Sequence, residues 1–417
     1  MLSLVLRMVL LLVLAACGDD VVGTRPDAGG DDVGPGDSGT DADRGPAPVD
    51  DAGADAGNVG PLTFHCAPTT TECPEVRVQG DPPTTYPQHP FHGYGDPSLE
   101  ADETGRLWLA YSWLDTTVSP GTLVDFTVRT HLARSDDGGR SFTFVRAVNE
   151  VERRAHWDDG TRSGIVEHEV STLVREPSGS WQLLWLDYFD ELGDGPMNRS
   201  DFFFSRARAA TPEELGDTIE PWIRGSAATA SVGAPHVLSS VAGLEDCLAF
   251  TEPGLVAAEG STWLAAGCLW LESGELRDRL VLLRETPDGY QLAGTLLDGA
   301  DGTRLGADRM EQADLAFARD GSLLLFVTPI VAAGDPMHQG CVVYDVEDLA
   351  TARLRRDASG APIARAVITS DGNGLGPGLC TYDAASETGV LLVITRFDLD
   401  ATPPSLAFTM HATGLHP

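Results

Sequence analysis

The chain has 417 residues, with 63 acidic side chains against 28 basic ones and a formal net charge of −35 at pH 7. This acidic balance argues against binding to nucleic acid and against direct adhesion to anionic lipid surfaces. Every basic residue except histidine is arginine, so Schiff-base chemistry and the lysine of a phosphate-binding loop are excluded. The sequence also lacks G-x-S-x-G and H-E-x-x-H, the motifs of serine hydrolases and zincins.

Residues 1–16 have the pattern of a secretory signal peptide, with Arg7 followed by the apolar run 8–14. The run ends in Leu-Ala-Ala-Cys at residues 14–17, which resembles the lipobox of bacterial lipoproteins. The resemblance implies that Cys17 is lipidated and becomes the mature N-terminus. A transmembrane anchor would need about 20 apolar residues, and this run is shorter. Gly18 rather than aspartate follows the cysteine, which favours the outer membrane or the cell surface as the destination.

Residues 17–60 form the second predicted segment, the lipidated cysteine and a disordered stalk. From residue 18 to residue 60 the chain carries 11 aspartates against two arginines and no aromatic residue. Such a segment cannot bury enough apolar surface to fold, and its charge extends it. Its aspartates lack the fixed spacing of a calcium loop. Residues 61–417 are left for one globular domain, for which we expect no cofactor and no metal.

Six cysteines follow Cys17, and an even number in an exported domain indicates disulfides. Cys66 with Cys73 would close a local loop. The positions of the other four in the repeat described next favour Cys247 with Cys268 and Cys341 with Cys380. A zinc site is the alternative, but the chain has no C-x2-C pair.

One pattern recurs along the domain: an acidic residue, a short apolar run, a polar turn with glycine, and a longer apolar run. The copies begin at Asp96, Glu169, Glu252, Glu311 and near Leu379, and their second runs are 107–111, 181–185, 262–265, 323–327 and 390–394. Each copy predicts a β-hairpin, and further strand-like runs follow it. Four-stranded units repeated in this way are typical of a β-propeller. We therefore expect an all-β fold, a single propeller with five blades, or six if residues 218–242 hold part of another.

Two further features bear on the ring. The last blade has too few strands of its own, so we expect it to borrow one from residues 62–64 or 76–78. The segment Ser135–Phe142 fits the S-x-D-x-G-x-x-W/F Asp-box, and so resembles a turn of sialidase-like (BNR-repeat) propellers. In that turn Asp137 would hold backbone amides and Phe142 would pack between sheets.

In a propeller the first strand of each blade lines the axial channel, so Asp96, Glu169, Glu252 and Glu311 are expected to meet at one mouth. Carboxylates that lie close together raise one another's pKa, which allows an acid and a base to coexist. Asp96-Pro97 and Glu252-Pro253-Gly254 resemble the five-bladed arabinanase and β-xylosidase type of glycoside hydrolase. The resemblance implies an inverting reaction with Asp96 as general base, Glu252 as general acid and Glu169 as the residue that tunes pKa and orients. The family has aspartate at the second position and Glu-Gly-Pro in the third blade, and this chain departs from both.

Other residues are candidates for substrate binding. A sialidase would need three arginines around a carboxylate, and only Arg162 and Arg309 lie near the starts of first strands. Residues that would line or flank the mouth are Glu311, His92, Trp113 and Trp157. The two tryptophans are predicted to stack on a sugar because they lie in less regular segments. The structural alternative is that the acids cap turns or hold amides in the channel.

These observations predict a monomeric, surface-anchored lipoprotein whose propeller binds a glycan at the axial mouth. Membrane contact would be through the lipid alone. An inverting glycoside hydrolase with a carboxylate pair and a protein-interaction scaffold without catalysis are the alternatives.

Overall fold

The domain is built from β-strands, as the repeat predicts. The computed structural model describes residues 60–67, 72–82, 91–117, 125–156, 160–191, 198–224, 233–272, 275–398 and 405–417. Its strands are β1 (Leu62–Cys66), β2 (Glu75–Val76), β3 (Val78–Gln79), β4 (Phe91–Ala101), β5 (Leu107–Thr117), β6 (Asp125–Ser135), β7 (Phe142–Ala147), β8 (Glu152–Ala155), β9 (Ser163–Arg175), β10 (Trp181–Glu191), β11 (Asn198–Ala209), β12 (Ile219–Arg224), β13 (His236–Val237), β14 (Ala249–Ala258), β15 (Ser261–Glu272), β16 (Glu275–Thr286), β17 (Gly289–Leu297), β18 (Arg309–Phe317), β19 (Leu323–Ile330), β20 (Cys341–Asp348), β21 (Arg353–Leu354), β22 (Ala364–Ser370), β23 (Pro377–Thr381), β24 (Leu391–Asp398) and β25 (Ser405–Ala412). Helical structure in the described ranges is limited to α1 (Gly299–Arg304) and the 3-10 turns Pro212–Glu214 and Leu238–Ser240. None of these helices is long and apolar enough to cross a bilayer.

Hydrogen bonding groups the described strands into four sheets, and the nine-stranded one contains two antiparallel arrays joined by the parallel pair β25–β4. The five arrays are β4–β7, β8–β12, β14–β17, β18–β20 with β22, and β23–β25. Each begins with, or contains, a predicted hairpin: β4–β5, β9–β10, β14–β15, β18–β19 and β23–β24. All five hairpins of the repeat are thus confirmed. The described part of residues 218–242 pairs with the second array.

The arrays close on themselves. The first hairpin strands contact one another in the cyclic order β4, β9, β14, β18, β23 and back to β4. Five separate apolar clusters fill the five spaces between neighbouring arrays. Burial therefore stabilises each array against two neighbours, which is the architecture of a propeller. The predicted fold class is confirmed, while the choice between five and six blades stays a prediction.

The N-terminal segment ties three arrays together. β1 pairs in parallel with β22 of the fourth array, β2 pairs with β25 of the fifth, and β3 pairs with β7 of the first. The prediction that the N-terminal segment adds a strand to the last array is therefore correct for Val76 and wrong for residues 62–64. The parallel partner of residues 62–64 is β22, whose edge is open for pairing.

All three predicted disulfides are confirmed. Cys66–Cys73, Cys247–Cys268 and Cys341–Cys380 have Cα atoms 5.4, 5.5 and 6.2 Å apart. The last of these joins β20 of the fourth array to β23 of the fifth, so it crosses the space between two arrays.

The Ser135–Phe142 turn has the expected contacts. The Asp137 carboxylate accepts a hydrogen bond from the Ser141 amide at 3.0 Å and one from the Ser141 hydroxyl at 2.6 Å. Phe142 is buried in the apolar cluster shared by the first and fifth arrays. The link between this turn and the Asp-box repeats stays a prediction.

A bulge interrupts the first strand of every hairpin at the same place. The register with the second strand shifts there in all five arrays. One residue of each bulge has a left-handed backbone, with φ values of 42, 51, 54, 45 and 55° at Asp96, Val170, Glu252, Gln312 and Leu379. Left-handed φ at a non-glycine residue costs about 1 kcal/mol, so the repeated bulge is a costly feature that the surrounding sheet maintains.

In three arrays, a hydroxyl two residues after the left-handed residue accepts an amide of the next array. The hydroxyls of Ser98, Thr172 and Thr381 accept the amides of Leu173, Leu255 and Leu99 at 3.0, 2.8 and 2.9 Å. Asp314 occupies this position in the fourth array and lies beside Thr381 and Tyr382 of the fifth. Gly254 occupies this position in the third array.

Gly254 is required by a close approach of the fourth array. A Cβ atom on it would lie 1.6 Å from the Ala313 carbonyl oxygen. Close packing of the two backbones thus takes the place of a side-chain acceptor between the third and fourth arrays.

Candidate functional site

Four acids lie at the bulges of four neighbouring arrays, and we call them the mouth cluster: Asp96, Glu169, Glu252 and Glu311. Asp96 and Glu252 are themselves the left-handed residues, and Glu169 and Glu311 immediately precede theirs. Asp96 is buried and the other three are partly buried. Asp96, Glu252 and their two neighbours interact electrostatically across the arrays. The four acids that the repeat predicts at one mouth therefore lie near one another in the structure.

The Asp96 carboxyl has a strongly shifted acidity. Burial, and then the negative charge of Glu169, raise its pKa to about 7. The nearby Ser112 hydroxyl and Val170 amide oppose the shift, because they favour the charged form; the Val170 amide itself donates to the Ser112 oxygen at 2.9 Å. Near neutral pH this carboxyl therefore exists in both protonation states.

The Glu252 carboxyl also has a strongly shifted acidity. Burial and the adjacent charge of Glu311, followed by those of Asp96 and Glu169, raise its pKa well above the ordinary value. The Gln312 amide, at the bulge of the next array, opposes this rise. Glu252 is accordingly an acid of the cluster whose protonated form is favoured by its surroundings.

Glu311 is paired with a cation. The Arg309 guanidinium lies 3.0 Å from a Glu311 carboxylate oxygen, and the two side chains are 13% and 21% exposed. Burial raises the pKa of Glu311, and the charge of Arg309 opposes this rise. Of the two arginines predicted near the mouth, the structure places Arg309 in the cluster.

Arg162 lies elsewhere, in an ion pair with Glu191 at 2.9 Å and over the Phe189 ring. The expectation for Trp113 is wrong on one point, because it lies in the regular strand β5 rather than in an irregular segment. Its ring is 6% exposed and stacks on His131, so burial between the arrays keeps it from a ligand in solution. The backbone of His92 pairs with Ala407, but its side chain lies outside the described part of the chain. Trp157 and Cys17 also lie outside the described residues.

His338 is a site residue that sequence reasoning missed. It lies in the connection between β19 and β20, whose backbone bonds to the fifth array through His338 N–H to Leu375 O at 2.6 Å. Burial and the charge of Arg309 lower its pKa to about 4, so the imidazole is neutral at pH 7. A single histidine in a connection gives no sequence signal, and only the folding back of this connection brings it near Arg309.

A second group of largely buried acids lies further along the first strands β4 and β18 and just after β23. We call Glu100, Asp314 and Asp383 the second acid cluster. Burial is the largest cause of the raised pKa of each, and Glu100 and Asp314 are also affected by the charge of Asp383. Glu100 and Asp383 accept the amides of Arg175 and Ala101 in the next array, and Asp314 lies beside the Tyr382 amide of the next array. Sequence reasoning missed them because they do not open a repeat.

Possible metal ligands also come together away from the mouth. Within the described residues, two sets of three side chains bring their ligand atoms within 4.8 Å of one another: Cys66, Cys73 and His411, and Asp246, Cys247 and Cys268. Both include cysteines that are joined in disulfides. Such sulfurs lack the thiolate charge with which cysteine binds metal ions.

Comparison with known proteins gives no sequence family. No family model matches the chain, and no curated protein matches it. Among solved structures, a family 117 glycoside hydrolase of the marine bacterium Zobellia galactanivorans has 11% identity and a TM-score of 0.47, covering 81% of this chain and 89% of that one. A thermostable family-43 glycoside hydrolase has 12% identity and a TM-score of 0.45, with coverages of 79% and 90%.

The catalytic domain of a GH62 α-L-arabinofuranosidase of Coprinopsis cinerea has 13% identity and a TM-score of 0.44, and the match covers 84% of this chain and 98% of that one. These are similarities of architecture, and the fold assignment above depends on the strand pairing and the cyclic contacts. The roles of single residues are argued from the site itself.

Proposed function

We propose that the domain hydrolyses a glycosidic bond at the mouth cluster, with Glu252 as general acid and Asp96 as general base. The observation that carries the proposal is that two carboxyls from different arrays meet and act electrostatically on each other. The pKa of Asp96 is raised to about 7, and burial and the charge of Glu311 raise the pKa of Glu252 well above its ordinary value. Two neighbouring carboxyls with raised pKa values can supply the acid and the base for cleavage of a glycoside.

In the proposed reaction Glu252 gives its proton to the glycosidic oxygen as the bond from that oxygen to the anomeric carbon breaks. Asp96 takes a proton from a water molecule whose oxygen forms the new bond to that carbon. The outcome is inversion at the anomeric carbon, as the resemblance to arabinanases and β-xylosidases implies. Each carboxyl ends in the opposite protonation state, and exchange with solvent restores both.

The proposal is tested with Asp96→Asn and Glu252→Gln on a panel of chromogenic glycosides and of plant and microbial polysaccharides. Loss of an acid or base should lower kcat/KM by at least about 100-fold. Glu100→Gln is the matched control, since it neutralises another buried carboxyl of β4, and it should retain activity. A wild type that releases no sugar from the whole panel would end the proposal.

The pH dependence of kcat/KM gives a second test. Below pH 7 the base Asp96 becomes protonated, so activity should fall on the acid side with a midpoint near its pKa of about 7. On the alkaline side activity should fall as Glu252 ionises. A rate that stays constant from pH 5 to pH 7 would contradict the role of Asp96.

Glycan binding without turnover is the second candidate, favoured by one observation. Asp96 lies beside Ser112 and Val170, whose amide donates to the Ser112 hydroxyl oxygen at 2.9 Å, and Glu252 lies beside the Gln312 amide. These neighbours have a structural role whether or not the acids react. Retention of the wild-type protein on a glycan array, without release of sugar from the glycans it binds, would select this candidate.

We also propose that lipidated Cys17 and the acidic segment behind it hold the domain at the cell envelope. The support is the lipobox-like run at residues 14–17 and the composition of residues 18–60. Metabolic labelling with a tritiated fatty acid should mark the wild type and not Cys17→Ser. Equal labelling of both proteins would refute the tether.

A further inference from the structure

The acid Glu252 and its neighbour Glu311 compete for one proton. They lie on β14 and β18, the first strands of adjacent arrays, which contact each other. Glu252 lies close enough to feel both the charge of Glu311 and the amide of Gln312, the residue that follows it. Two neighbouring carboxyls that are largely out of solvent do not both ionise readily. Their surroundings therefore determine which of the two stays protonated.

A cation, the guanidinium of Arg309, lies beside the Glu311 carboxylate. Arg309 forms its ion pair with Glu311, at 3.0 Å and largely out of solvent. The other charged or titratable groups facing the pair are Asp96 on β4, Glu169 on β9, Asp278 on β16 and His338 in the connection between β19 and β20.

These neighbours do not reverse the effect of the cation. Asp96 and Glu169 are acids, and their charges favour the protonated form of Glu252. Asp278 fixes the strand that carries the cation, because its carboxylate accepts the Met310 amide at 2.9 Å. His338 is neutral at pH 7 and adds no charge.

We propose that Arg309 is a positioning residue that makes Glu311 ionise before Glu252, so that the proton shared by the pair stays on Glu252. An attractive charge within about 4 Å favours the ionised carboxylate beside it. The ionised Glu311 then repels a second negative charge on Glu252. The inference deepens the proposed function, since it explains how Glu252 remains a general acid, and it assigns the tuning role to Arg309 and Glu311 rather than to Glu169.

The test is a carboxyl titration by NMR on the full chain, with 13C placed at the side-chain carboxyl carbon of glutamate. Glu252→Gln and Glu311→Gln assign the two resonances by their disappearance. In the wild type the Glu311 resonance should titrate at lower pH than that of Glu252. In Arg309→Gln the Glu311 midpoint should rise and the Glu252 midpoint should fall, each by about one pH unit, a tenfold change in the ratio of the two forms.

Three further variants keep the test decisive. Arg309→Lys retains the charge and should retain the wild-type order of ionisation. Arg162→Gln removes a comparable partly buried cation, whose partner is Glu191, and should move neither resonance. If Arg309→Gln does not fold, Glu311→Gln alone should lower the Glu252 midpoint, because the neighbouring charge is gone.

A Glu252 midpoint that is unchanged in both Arg309→Gln and Glu311→Gln would overturn the inference, as would ionisation of Glu252 first in the wild type. The titration requires no substrate. A protein that hydrolyses nothing can therefore still show the predicted order, and an active glycoside hydrolase can still fail to show it.

Discussion

The mouth cluster and the second acid cluster are two groups of carboxyls on or just after the first strands, and burial raises pKa values in both. They differ in how their oxygens are used. In the second cluster, Glu100 accepts the Arg175 amide, and Asp383 accepts the amides of Ala101 and Ala385. These acids fasten one array to the next.

In the mouth cluster the acids lie at bulges, and two of them have left-handed backbones. The bulge itself is architecture, since Val170 and Leu379 share it and carry no charge. What distinguishes the mouth is that the residue at or beside the bulge is acidic in four arrays. A raised pKa in a buried acid is therefore insufficient to mark a reactive group, and its position and hydrogen-bond partners decide.

The largest effect is expected between the two clusters, at Gly254. In Gly254→Ala the new methyl group would meet the Ala313 carbonyl oxygen at 1.6 Å, which backbone movement alone can relieve. We expect a loss of at least about 3 kcal/mol in the free energy of unfolding, or no folding at all. Urea denaturation measures it, and Gly299→Ala, with nothing within 4 Å, is the matched control. Equal stability of the two variants would show that the third and fourth arrays are not in close contact there.

Asp96→Asn tests the mouth cluster through the pH dependence of protein stability. The pKa of Asp96 rises from 3.8 to about 7 on folding, so its protonation favours the folded state below about pH 4, and this contribution is lost as the pH rises through 7. Asparagine never carries the buried charge and tolerates the left-handed backbone. Relative to the wild type, the free energy of unfolding of the variant should therefore gain about 1.4 kcal/mol for each unit of this pKa shift between pH 4 and pH 9, measured by denaturation at each pH. A difference that does not vary with pH would mean that the carboxyl is not buried.

Asp383→Ala probes the second cluster and should have the smallest effect. It removes the acceptor of the Ala101 amide, at 2.9 Å, and of the Ala385 amide, at 2.7 Å. Leaving a part-buried amide without its partner should cost about 1 to 2 kcal/mol. Any activity of the folded protein should be preserved. Asp383→Asn keeps one carbonyl oxygen and should cost less; a loss of activity in either folded variant would assign chemistry to the second cluster.

The repeat predicted much of this architecture because a hairpin is a local feature. Apolar runs on both sides of a glycine turn specify their own partner, so the hairpin strands beginning at Leu107 and Leu323 could be recognised without knowledge of the ring. The convergence of Asp96, Glu169, Glu252 and Glu311 followed from the same periodicity. The disulfide pairs followed from their places in the repeat.

The remainder depends on contacts between distant parts of the chain. His338 reaches Arg309 only because its connection bonds to the fifth array, and the second acid cluster is defined by amides from neighbouring arrays. Trp113 was expected in an irregular segment, but β5 continues through it and buries the ring. No local pattern reports these long-range contacts.

The attachment of β1 has a mechanical consequence. β1 runs parallel to β22 in continuous register from Leu62↔Ala366 to Cys66↔Ser370. A pulling force applied ahead of Leu62 and directed along the strand loads these hydrogen bonds in shear. The bonds therefore resist the force together instead of breaking one after another. The Cys66–Cys73 crosslink and the strands that follow pass the remaining force to the fifth and first arrays. Such a force would thus be distributed over three arrays, the fourth, the fifth and the first.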